Sequence, residues 1–191
     1  NHSRAASHLL DARAIRGLPG QASLQTVLRT MPGVDLRSRG ELGVQADLSI
    51  RGSGFDQVLF LMNGVDFTDA QTGHHTLNLP LRTEGVQRLE LLGSPAARLW
   101  GPGAFAGAVN AVTLEPEQPG LFVKLQGGMY GLYDAFASGA TGQQGPLNLY
   151  AYTALRGSRG FTENTDFQHA DAFATARVAL PVGWLSAQCG Y

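Results

Sequence analysis

The sequence predicts a small α+β module of short strands and helices, followed by a run of antiparallel amphipathic strands. Three observations carry this. Between Ala46 and Asn110 an alternating strand, a Gly52-Ser53-Gly54 turn, an unbroken apolar run at Val58–Met62 and an Asn63-Gly64 turn follow one another closely. A glycine-rich segment from Gly101 to Gly107 then precedes another apolar strand. Past Pro116 and Pro119-Gly120 the texture changes to period-two alternation, as half-buried or membrane strands require. The boundary is therefore set at 116, giving domains at 1–116 and 117–191.

From the N-terminus, Ala5, Ala6, Leu9 and Leu10 have helical spacing and predict a helix within Ser3–Arg29, broken at Gly17, Pro19 and Gly20. Ser23 is placed to cap a short helix through Arg29, which Pro32-Gly33 ends. Val34–Leu36 and Asp47–Arg51 read as strands, the second with Leu48 and Ile50 on one face. Val58–Met62 reads as a strand covered on both faces. Asn63 and Gly64 both tolerate positive φ and so suit a tight hairpin turn. A polar loop follows, then a short strand at Leu77–Leu81 that holds Pro80, a strand at Val86–Leu92, a helical turn at Ala96–Trp100 and a closing strand at Val109–Leu114. In the second part, strands are expected at 121–130, 132–141, 147–156, 169–180 and 184–191. In the fourth of these, Ala170, Ala172, Ala174, Ala176, Val178 and Leu180 oppose His169, Asp171, Thr175 and Arg177. The last strand reaches Tyr191 with no partner, so the sequence is expected to be the start of a longer sheet.

Composition narrows function. Charged residues make up 15% of the chain, below the usual share of about 25% for soluble domains. A net charge of -1 argues against nucleic acid, which needs a basic face. No apolar run is long enough for a membrane helix, but strands of about ten residues cross a bilayer as barrels. An antiparallel soluble sandwich fits the same alternation. The single cysteine, Cys189, cannot form a disulfide within the chain. Gly101–Gly107 lacks the Gly-Lys-Ser/Thr ending of a phosphate loop, and Ser53 and Ser94 have no nucleophile pattern around them. No enzyme is expected. His74 and His75 are adjacent on an extended segment and point opposite ways, so no metal is assigned to them.

Several ordered motifs resemble those of the TonB-dependent outer-membrane receptors. They are Pro32-Gly33-Val34, Ile50-Arg51-Gly52, the run Val58–Val65, Val86-Gln87-Arg88-Leu89-Glu90, Leu99-Trp100-Gly101, Gly103-Ala104 and Gly107-Ala108-Val109-Asn110. The resemblance implies a plug domain, a small mixed sheet with short helices, followed by the first antiparallel strands of a transmembrane β-barrel of about 22 strands. There are departures: Asn63-Gly64 stands where the family usually has Asp-Gly, and Gly93-Ser94-Pro95 where it has Arg-Gly-Pro. The second change removes an arginine for which Arg98 is the available substitute. No TonB box is recognisable, and one is expected upstream of Asn1. The run Asp69–His75 is similar to the cobalamin-transporter branch of Bacteroidetes.

What the resemblance implies follows from this placement. The protein would sit in the outer membrane of a Gram-negative bacterium, against outer-membrane lipid, and would draw energy from TonB. It would import a corrinoid such as cobalamin, with an iron-siderophore or haem second, and would hold no cofactor of its own. A surface lipoprotein lid is a further implied partner. The loops Leu36–Val44 and Val65–Leu77 would face arriving ligand, which makes Arg39, Gln45, Asp66, Thr68, Gln71, Thr72, His74 and His75 the expected contacts. Arg51, Glu90 and Arg98 are the expected plug–barrel anchors, and Gly52, Asn63, Gly64, Gly101, Gly107 and Asn110 the expected turn and packing positions.

Overall fold

The computed structural model describes residues 6–18, 23–39, 45–67, 77, 79–93, 97–143 and 145–191. The chain divides into two compact units. The first comprises Asn1–Leu79 and Thr83–Thr113, the second Pro80–Arg82 and Leu114–Tyr191.

The first unit begins with a correction. Ala6–Asp11 is a strand, β1, and not part of a helix; it pairs antiparallel with β6 (Val86–Leu92). Helical spacing in so short a stretch yields to ladder hydrogen bonds supplied by a distant strand. A helix does follow at once, because Asp11 accepts the Ala14 amide and so caps α1 (Ala12–Arg16). Ser23 caps α2 (Leu24–Leu28) in the same way, as its sequence position predicts. β2 (Val34–Arg39) and β3 (Gln45–Ile50) form a separate antiparallel pair.

The main sheet runs β1-β6-β7-β4-β5, with β4 at Val58–Met62, β5 at Val65–Asp66 and β7 at Gly107–Thr113. β4 and β7 are parallel; every other pairing in the sheet is antiparallel. All five residues of β4 are buried, as its unbroken apolar run implies. Leu61 clusters with Leu59, Leu92, Ala104 and Ala108 on one face of the sheet, while Phe60 and Met62, fully buried as well, point to the other. Two turns of the first unit have both central residues at positive φ: Arg51-Gly52 at 53° and 79°, Asn63-Gly64 at 54° and 81°. The second is the two-residue hairpin between β4 and β5, whose twist demands that geometry. Gly107, at φ 146°, opens β7 where a Cβ would stand 2.5 Å from the Leu92 carbonyl oxygen. α3 (Ala97–Trp100) precedes it. The strand expected at Leu77–Leu81 does not form at its described residues, Leu77 and Leu79–Leu81; Pro80 has no amide hydrogen to give a ladder.

The second unit is an antiparallel meander of five strands in sequential order. They are β8 (Gly120–Gly127), β9 (Tyr133–Ala140), β10 (Leu147–Ser158), β11 (Phe167–Leu180) and β12 (Gly183–Gly190). Alternation sorts their faces. One carries the buried Asp134, Phe136, Tyr150, Tyr152, Arg156, Asp171 and Phe173. The other carries Leu121, Val123, Leu125, Leu149, Leu155 and Leu185, all exposed. An apolar, exposed sheet face opposite a charged, buried one inverts the usual soluble pattern.

Candidate functional site

The loop expected to meet a ligand starts at the Asn63-Gly64 turn, and the first unit fixes that starting point through a chain of hydrogen-bonded polar groups running from the exposed Asn63 to the buried Glu90. Asn63 supplies the first link. Its Oδ1 accepts the Thr113 amide at 2.9 Å and its Nδ2 donates to Thr113 Oγ1 at 3.0 Å. Its own amide donates to the Ala111 carbonyl at 2.9 Å. The turn is thereby stitched to the central strand β7.

Asn110, on the same strand, extends the chain inward. Its Oδ1 accepts the Gly64 amide at 3.0 Å, and its Nδ2 donates to Glu90 Oε2 at 2.9 Å. Glu90 is wholly buried and receives Arg88 Nε on its other oxygen at 2.7 Å. A buried carboxylate is tolerated only when charge and hydrogen bonds compensate it, and here Arg88 and Asn110 supply both. From the outer side, Trp100 Nε1 donates to the Gly64 carbonyl at 3.3 Å. Both polar groups of the Gly64 backbone are thus held by side chains from β7 and α3.

The expected site residues divide accordingly. Asn63, Gly64 and Asn110 lie together in this brace, while Gly52, Gly101 and Gly107 take the positive φ that their turns or close approaches need. Arg39 and Gln45 are a register pair closing the β2–β3 hairpin, and Asp66 is exposed on β5. Thr68, Gln71, Thr72, His74 and His75 lie outside the described residues, as does the whole Asp69–His75 run. Of the expected anchors, Arg51 and Arg98 are exposed. Glu90, expected to face a barrel wall, is bound within the first unit by Arg88 and Asn110. Among the described residues no group of three or more His, Cys, Asp or Glu is arranged to hold a metal ion.

Sequence reasoning missed a second polar centre, inside the second unit. Arg82 NH2 reaches Asp134 Oδ1 at 2.6 Å, and Arg156 holds the other oxygen of Asp134 at 2.7 Å. Asp171 faces Arg82 at 3.8 Å and is bound by His169 Nε2 at 2.8 Å. The Tyr152 hydroxyl donates to the Pro80 carbonyl at 2.6 Å and accepts the Arg82 amide at 3.0 Å. The available signal was Asp134, Arg156 and Asp171, charges on the inward rows of adjacent strands that demand a partner.

Comparison with known proteins follows this geometry. Residues 3–108 match the family model described as TonB-dependent Receptor Plug Domain. The vitamin B12 transporter BtuB of Vibrio vulnificus is 35% identical over 95 residues, which is 50% of this chain and 15% of that protein. BtuB of Photobacterium profundum is 31% identical over 167 residues, covering 84% of this chain and 27% of that protein. The ferric enterobactin receptor PirA of Pseudomonas aeruginosa is 32% identical over 120 residues, 56% of this chain and 16% of that protein. The chain thus spans at most about a quarter of these curated relatives. Among solved structures, the FpvAI–pyocin S2 complex matches with TM-score 0.78 at 17% identity, over 97% of this chain and 25% of that one. The siderophore receptor PirA from Pseudomonas aeruginosa matches with TM-score 0.62 at 24% identity, over 96% of this chain and 34% of that one. Both likenesses describe the fold.

Proposed function

The chain belongs to the TonB-dependent receptor plug family, and from that premise we propose that it gates active import of a scarce, bulky ligand across a Gram-negative outer membrane. On this reading residues 1–116 form the plug and residues 117–191 begin the transmembrane barrel. TonB supplies the energy and no bond of the ligand is made or broken. The observation that carries it is the exposed apolar face of β8–β12 set opposite a buried charged face. A soluble sandwich would have to hide those leucines, whereas a barrel turns them to lipid.

Two ligand classes stay in view, each with its own support. Relatives named as vitamin B12 transporters favour a corrinoid. The relative named as a ferric enterobactin receptor favours an iron-siderophore. In either case the contacts proposed are Arg39 and Gln45 on the β2–β3 hairpin, with Asp66, Thr68, Gln71, Thr72, His74 and His75 on the segment that follows the Asn63-Gly64 brace. Arg51, Glu90 and Arg98 complete the proposal as charges that steady the plug. The test is a titration of the full-length receptor with cyanocobalamin and, separately, with ferric enterobactin. Saturable binding of one at micromolar concentration or below is expected, with uptake that depends on TonB. Saturable binding of neither sinks both ligand assignments.

A further inference from the structure

The brace holds the start of the Val65–Leu77 loop; the end of that segment is held differently. Pro80–Arg82 groups with the strands of the second unit, while the residues on either side group with the first. The hold on these three residues is threefold. The Arg82 guanidinium lies between Asp134 and Asp171, with side chains 9%, 2% and 4% exposed. The Tyr152 hydroxyl bridges the Pro80 carbonyl and the Arg82 amide, so the backbone is bound as well as the side chain. The Pro80 ring packs on Gly190, where no side chain intervenes.

The charge balance explains why this hold is hard to release. Two carboxylates, Asp134 and Asp171, face two guanidiniums, Arg82 and Arg156. With Arg82 withdrawn, Arg156 and the half-exposed His169 are the partners left to two buried carboxylates. Taking one member from a buried ionic cluster costs far more than breaking a surface pair, because an uncompensated charge stays behind in a low dielectric. Tyr152 is itself locked in an aromatic row between Phe136 and Phe173, at centroid distances of 5.2 and 5.5 Å, so it cannot follow a departing segment.

We infer that Pro80–Arg82 is a fixed tether: it stays bound to β9–β12 throughout the transport cycle, and any rearrangement of the plug takes place about it. This rests on the transport reading above, and one arm of its test is independent of that reading.

The first arm uses the full-length receptor carrying Cys189→Ser, Pro80→Cys and Gly190→Cys. A Cβ built at Gly190 lies 3.1 Å from the Pro80 Cβ, near the separation of about 3.5–4.5 Å that disulfides span. Oxidation then welds the tether to β12. The expected result is uptake within twofold of the same protein reduced by dithiothreitol. Uptake lost on oxidation and recovered on reduction overturns the proposal. The second arm needs no ligand. Leu81 is 5% exposed, so Leu81→Cys in the Cys189→Ser receptor reports release of the segment by maleimide labelling. Slow labelling is expected, at rates within twofold in energised and de-energised cells, with Arg82→Gln raising the rate at least tenfold. Labelling that quickens on energisation, or that Arg82→Gln leaves unchanged, overturns it. A receptor that binds neither ligand defeats both ligand assignments, and the labelling arm then decides the tether alone.

Discussion

Replacing Asn110 with alanine tests whether the buried brace holds the root of the ligand loop. The substitution deletes the 2.9 Å donor to Glu90 Oε2 and the 3.0 Å acceptor of the Gly64 amide. A hydrogen bond to a buried charged group is worth about 1.5–3 kcal/mol, and Arg88 remains to compensate the rest of the carboxylate. Gly64 is only half-buried, so water can replace part of its lost bond, and this adds up to about 1 kcal/mol. The sum is about 1.5–4 kcal/mol of local stability. At about 1.4 kcal/mol per tenfold, this predicts amide hydrogen exchange about 10-fold to about 700-fold faster at the reporting positions. Those positions are the Asn63 amide, bonded to Ala111, and the Thr113 amide, bonded to Asn63. The assay is hydrogen–deuterium exchange on the full-length receptor, with Gln87→Ala, an exposed change on β6, as control. Rates within threefold of wild type at both amides would refute the claim that Asn110 holds the turn.

Two further outcomes follow from backbone geometry. Gly107→Ala forces a Cβ to within 2.5 Å of the Leu92 carbonyl at φ 146°, and the expected loss is at least about 2 kcal/mol; folded receptor in outer-membrane fractions should fall several-fold, and wild-type yield would contradict this. Arg51→Asn keeps the positive φ of 53° but with a residue suited to it, so a gain of about 0.5–1 kcal/mol is expected in denaturant midpoint; a loss would instead favour the anchoring role for Arg51.

Much of this architecture is legible in the sequence, for local reasons. The Asn63-Gly64 hairpin, the Ser23 cap and the alternation of β10 and β11 rest on chemistry that neighbouring residues carry themselves. β1 was not legible, because what makes Ala6–Asp11 a strand is β6, far along the chain. The parallel pairing of β4 with β7 was hidden for the same reason. Glu90 could be recognised as a charge in need of a partner, but whether that partner is Asn110 or a distant wall depends on strand order. Asp171 stood on the polar face read for its strand, and the strand register puts Asp134 and Arg156 on that same face. That Arg82 completes the set required the placement of a three-residue segment that no periodicity marks.

The position of β7 in the main sheet has a consequence for biogenesis. It lies between β6 and β4, bonded to both, yet it is the last of the five strands to be synthesised. A nascent chain that has reached Leu92 holds β1, β4, β5 and β6 but lacks the strand that joins them. Until Gly107–Thr113 arrives, the apolar face of Val58–Met62 has no sheet neighbour on its β7 side. The β1–β6 and β4–β5 pairs can therefore join into one sheet only after β7 has emerged, which makes the closing contacts of the sheet the most distant in sequence.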